Sequence, residues 1–134
     1  MRYLTRGFAI GALNRGHPVE QFLGSVDAPA GVRAVRWATV WQSQLGYEAW
    51  SYDIEDLDDD QFLDLMEFPP VGSDSDDGPG AVFLGRVDDP DEALRLAEEG
   101  VRASPARWVN HGVAGKDYAD LVRARRNGQE WPTA

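Results

Sequence analysis

Two stretches of alternating side chains constrain this chain's fold more than anything else in it. Over residues 32–42, Val35, Trp37, Thr39 and Trp41 fall on one side, with Val32, Ala34, Arg36, Ala38, Val40 and Gln42 on the other. Over residues 47–55, Trp50, Tyr52 and Ile54 alternate with Ala49, Ser51, Asp53 and Glu55. Successive side chains of a strand point to opposite faces, and β-branched and aromatic residues favour that pleated surface. Ser43 to Gly46 supplies a turn between the stretches. The spacing therefore predicts an antiparallel hairpin with its aromatic residues on one face.

The remaining elements are read from their punctuation. Thr5 is placed to cap a short helix over 5–14, and Gly16-His17-Pro18 breaks it. Pro18 suits the first turn of a second short helix, reaching Leu23 and closed by Gly24, with a loop over 25–31. Asp58 is placed to cap a third helix over 59–67, with Phe62, Leu63, Leu65 and Met66 on its apolar side and Pro69-Pro70 as its stop. An acidic Gly/Ser loop follows over 71–80, then a strand over 81–87. A helix over 91–103 carries Ala93, Leu94, Ala97 and Val101 at helical spacing. A short strand is expected over 107–110 and a last helix over 115–126, with Tyr118, Leu121 and Val122 inside. The fold class expected is α+β, a small antiparallel sheet of about three to four strands with helices packed on one face. The expected organisation is a single domain over 1–127 and a flexible tail over 128–134.

Charge is distributed unevenly. The net charge of the chain is −10. Residues 1–36 carry five Arg and two acids, residues 37–85 carry twelve acids and no Lys, Arg or His, and residues 86–134 carry eight bases and nine acids. The excess lies in the middle third. One cluster there is Asp53, Glu55, Asp56, Asp58, Asp59 and Asp60, and the other is Asp74, Asp76 and Asp77. Such clusters either solvate a face or hold a negative potential for a basic partner.

Several chemistries have little to stand on. With no cysteine, disulfides and thiolate metal sites are excluded. His17 and His111 are the two histidines, and the sequence pairs neither with a nucleophile or an orienting acid. Asp74-Ser75-Asp76-Asp77-Gly78 fails as a calcium loop, because Gly78 stands at position 5 and Gly85 at position 12. Residues 72–80 hold glycines but no Lys, so they repel phosphate, and direct nucleic-acid binding through the acidic segment is disfavoured. Arg123, Arg125 and Arg126 sit where they complement the dipole of the last helix. No metal or cofactor is expected. No window approaches the length of a membrane span and the start shows no secretory core, so the cytoplasm is the expected location.

Three segments carry a resemblance: Arg15-Gly16-His17-Pro18-Val19-Glu20-Gln21-Phe22-Leu23-Gly24, Phe62-Leu63-Asp64-Leu65-Met66-Glu67-Phe68-Pro69-Pro70 and Arg107-Trp108-Val109-Asn110. Together they resemble an uncharacterised family of small acidic actinobacterial proteins. In size and acidity the chain also resembles the immunity proteins of bacterial toxin systems. Neither resemblance carries a functional residue over; the uneven charge is what points to a binding protein and no enzyme. The leading expectation is thus a module that engages a basic protein, such as a nuclease toxin, through Asp56, Asp58, Asp59, Asp60 and Asp64, with Trp37 and Trp41 as an aromatic stripe on the hairpin. Two alternatives stand beside it: a structural or regulatory subunit of a larger bacterial assembly docking through its aromatic strands, and a small enzyme using His111 or His17.

Overall fold

The computed structural model describes residues 2–27, 31–61, 63–71 and 80–131. Helix α1 spans Arg6–Asn14, strand β1 Val19–Val26, β2 Ala34–Ser43 and β3 Gly46–Glu55. A single 3-10 turn follows at Leu65–Glu67, then β4 Ala81–Val87, α2 Pro90–Gly100, β5 Val109–Asn110 and α3 Ala114–Arg126. The sheet order is β4-β3-β2-β1-β5, and every neighbouring pair is antiparallel.

The hairpin forms as its alternation requires. Trp37 pairs with Tyr52, Thr39 with Trp50 and Val35 with Ile54, so the aromatic sides of both strands share one face. Arg36 and Asp53 pair across the other face, with two contacts of 2.6 and 3.0 Å. Thr5 caps α1 by accepting from the Phe8 N–H, and Asp89 caps α2 by accepting from the Glu92 N–H. Strand β4 occupies the residues expected of it. Gly85 in β4 has a φ of +149° and lies against Leu96 of α2, close enough that a side chain there would collide with the leucine.

Three expectations are corrected. The sheet has five strands, because residues 19–26 form β1 where a helix over Pro18–Leu23 was expected. Their local preference yields to position: β1 lies between β2 and β5, and both its edges are used in ladders. The helices also cover both faces of the sheet. Val19, Ala38, Val40 and Ala49 pack with Ala9, Ala12 and Leu13 of α1 and Ala93, Leu94 and Ala97 of α2. Phe22, Val35, Trp37 and Ile54, of opposite parity, pack with Ala114, Tyr118 and Val122 of α3. Finally, no helix forms over the described part of 59–67. Asp58 has a φ of +54°, and only Leu65–Glu67 is helical, in 3-10 form. The aspartates themselves are the reason. Asp56 Oδ1 accepts from the Asp58 N–H, Asp59 Oδ1 from the Gln61 N–H and Asp64 Oδ1 from the Met66 N–H. Each such bond reaches two residues along and offers the backbone an alternative to the helical ladder.

Residues 56–61 and 63–67 therefore run as an irregular strap across the face that α3 covers. Buried Leu65 and Phe68 anchor its far end. The strap passes so close to α3 at Gly115 that a Cβ there would overlap the carbonyl of Leu63. Phe62 and the loop cluster Asp74, Asp76 and Asp77 lie outside the described residues. In the C-terminal segment, Trp131 packs edge-on against Phe22 at 5.2 Å, with the Arg107 guanidinium over its ring.

Candidate functional site

The acids singled out in the sequence divide into two sets. Asp56, Asp58 and Asp60 meet the arginines of α3. Asp56, whose side chain is 1% exposed, accepts from Tyr118 OH at 2.8 Å and from Arg125 Nη1 at 2.7 Å. Asp58 accepts from Arg125 Nη2 at 3.0 Å, and its carbonyl accepts from Arg126 at 2.7 Å. Asp60 lies 3.1 Å from Arg123 Nε and 3.3 Å from Arg126 Nη1. Burial pushes the Asp56 carboxyl up, but the bonds from Arg125, Tyr118 and the Asp58 N–H outweigh it and hold the group below its ordinary 3.8. The Arg123 bond likewise lowers Asp60. Burial and then the Asp56 carboxylate push the Tyr118 phenol up to about 12. The three arginines thus do more than complement the helix dipole. They fasten the strap to the C-terminal half of α3.

The second set surrounds an open groove of about 550 Å³ on the same sheet face. Glu20 of β1 and Trp37 of β2 line it from the sheet, and Asp64, Met66 and Glu67 line it from the strap. His111, in the loop between β5 and α3, also lines it. A smaller hollow of about 180 Å³ shares Trp37, Met66 and His111 and extends toward Trp41 and Tyr52. Among the described residues, no Lys or Arg lines either cavity.

Glu20 is only 5% exposed. Its Oε2 accepts from the Ala114 N–H at 3.0 Å, at the start of α3, and its Oε1 lies 3.3 Å from His111 Nδ1. Among the described residues, Glu48, Asp117 and the side chain of Asp56 are buried to a similar degree. Glu48 pairs with Arg86 at 3.1 Å and Asp117 with Arg2 at 2.6 Å. Among the described residues, Glu20 has no such arginine. A buried carboxylate without a cation carries a large desolvation cost, so Glu20 stands out. Trp37 leaves a valence unmet. It is 3% exposed and stacks on Tyr52 at 4.7 Å, yet its Nε1–H has no acceptor among the described residues.

The stripe expected from Trp37 and Trp41 is present but graded in depth. Trp37 is in the floor, whereas Trp41 is half-buried and stacks on Trp50 at 5.8 Å. Trp50 in turn packs on Phe83 of β4, which is 43% exposed. His17 and His111 line one shallow depression with Arg15 and Asn110. Asp59 carries no ion pair among the described residues, and Asp64 caps the 3-10 turn on the groove side.

Sequence reasoning missed Glu20, gave no role to Glu67, and gave Met66 only a place on the apolar side of the expected helix. The signal for Glu20 was available. Read as a strand, residues 19–26 put Glu20 and Phe22 on the same side, so an apolar neighbour two residues on marks Glu20 as inward-facing. Among the described residues, no helix is long and apolar enough to cross a membrane. Comparison with protein-family models, with curated proteins and with solved structures returned no match, so the geometry alone carries the functional reading.

Proposed function

We propose that this protein is an acidic protein-binding module, an immunity protein or inhibitor that neutralises a basic protein such as a nuclease toxin. The observation that carries this reading is the groove between strap and sheet. Its walls bring together Glu20, Asp64 and Glu67 around Trp37, with no arginine or lysine lining it among the described residues. Nuclease sites are basic because their substrate is polyanionic, and a negative groove is complementary to them. Asp56, Asp58 and Asp60 act in this reading mainly by holding the strap. Asp59 and Asp64, free of arginine pairs among the described residues, contribute to the negative field directly.

The test is co-purification and inhibition with a nuclease toxin encoded in the neighbouring reading frame. Stoichiometric inhibition is expected, with affinity falling about tenfold or more from low to high salt. A neighbouring basic nuclease that is neither bound nor inhibited would sink the reading.

A second reading rests on a separate observation. β4 is an edge strand, and it presents Val82 and Phe83 to solvent beside the Trp41–Trp50 stack. That surface supports a subunit of a larger assembly docking through aromatic strands. Association through it would persist at high salt and weaken on replacing Phe83 with a charged residue.

A further inference from the structure

We propose that the groove receives one arginine side chain from a loop of the basic partner, with the guanidinium at Glu20 and a backbone carbonyl of the same loop supplying the acceptor for Trp37 Nε1. This deepens the binding-module reading and rests on it.

A buried carboxylate without an arginine and a buried donor without an acceptor, among the described residues, meet in one cavity. Glu20 is a buried carboxylate whose one basic neighbour among the described residues is His111, which is itself 59% exposed at the groove rim. Elsewhere in the chain, buried Glu48 and Asp117 each take an arginine. Trp37 lines both cavities and carries a buried donor with no acceptor. A donor left unmatched at this depth, and a carboxylate buried without an arginine, cost free energy that an incoming partner recovers.

The chemistry favours arginine over lysine. A planar guanidinium forks to carboxylates with parallel N–H donors and lies flat against aromatic and thioether surface. Glu20 on the sheet and Asp64 and Glu67 on the strap offer carboxylates, while Trp37 and Met66 offer the flat apolar surface. An ammonium uses neither the fork nor the plane as well. A loop carrying the arginine brings backbone carbonyls with it, which a free cation does not.

The test uses the whole protein, labelled with 15N, and three probes: the peptide acetyl-Gly-Arg-Gly-amide, its citrulline counterpart and guanidinium chloride. The arginine peptide is expected to bind with a dissociation constant on the order of millimolar. It should move the Trp37 indole N–H resonance downfield and shift the amides of Glu20 and Ala114. Citrulline has nearly the same shape without the charge and should bind at least about fivefold more weakly. Guanidinium alone should shift Glu20 but leave the Trp37 indole in place. Glu20→Gln keeps an oxygen for the Ala114 N–H, so it should retain the fold and lose the peptide response, while Glu99→Gln, exposed on α2 against the other sheet face, should leave it unchanged. Equal binding of arginine and citrulline peptides, or an unmoved Trp37 indole, would overturn the proposal. A neighbouring toxin whose affinity is indifferent to Glu20→Gln would overturn it while leaving the binding-module reading intact. Peptide binding without any bound basic protein would remove the module reading instead.

Discussion

Two groups of acids lie along one strap, and they are put to opposite uses. Asp56, Asp58 and Asp60 are matched by Arg125, Arg126 and Arg123, and two of these partners come from a single turn of α3. Asp64 and Glu67, a few residues on, face a groove with no arginine or lysine in its lining among the described residues, opposite the buried Glu20. Formal charge is similar in the two places, but local potential is not. Neutralised acids act as fasteners, and unneutralised ones leave a field for something outside the chain. A charge map drawn along the sequence cannot separate the two, because the cations that neutralise the first group are more than sixty residues away.

The contrast is open to direct attack. The largest effect is expected from Asp56→Ala, which strands Tyr118 OH and Arg125 beside an empty site. Unfolding in urea should show a loss of about 2–3 kcal/mol, less than for a fully enclosed pair because Arg125 keeps some contact with water. Binding by the fraction that remains folded should be unaltered. A large loss of affinity with intact stability would reverse the roles given to the two groups.

Gly115→Ala attacks the groove without touching a charge. The added methyl overlaps the Leu63 carbonyl, so the strap must move away from α3. A cost of about 1–3 kcal/mol is expected, as for overpacking elsewhere. Peptide and toxin binding should fall with it, while the Tyr118–Asp56 contact persists in NMR spectra. Unchanged binding would mean that the strap wall is not part of the recognition surface.

Changes of pH come next. Asp56 is depressed below its ordinary 3.8 in the folded chain, so its contribution is present above that value and is lost as pH falls through the folded value. Tyr118 is raised from 10.0 to about 12, so its contribution is complete below pH 10 and disappears as pH climbs toward 12. Urea midpoints measured across both ranges should decline at each end. Asp56→Asn should flatten the acid limb, and Tyr118→Phe the alkaline one. Limbs that survive those replacements would assign the linkage to other groups.

Asp59→Asn should have the smallest effect. The amide oxygen still accepts from the Gln61 N–H, and no arginine partner is lost among the described residues. Stability should change within about 0.5 kcal/mol. Toxin association should slow slightly at low salt and not at all at high salt, as read by stopped flow.

Much of the fold was legible in the chain. The hairpin, the Thr5 cap, β4 and the start of α2 follow from local rules, since alternation, caps and proline act over a few residues. The two segments that misled did so for physical reasons. Val19–Val26 has a proline before it and a glycine within it, marks that also fit a short helix, and only pairing with both β2 and β5 makes it a strand. Residues 59–67 have apolar spacing that suits a helix, but Asx side chains and distant arginines hold the described ones among them in an irregular strap. Of the candidate site, Asp64 and Trp37 were legible by type and position. Glu20 was hidden behind the misread strand.

The sequence by itself determined the α+β class, the aromatic side of the hairpin and the base-free acidic middle. These depend on the order of residues and on short-range stereochemistry. Which acids are spent inside the molecule and which remain unmatched was decided only by tertiary structure. Ion pairing and burial depend on distance in space, and the partners here come from α3, β1 and the strap, elements that local rules cannot bring together.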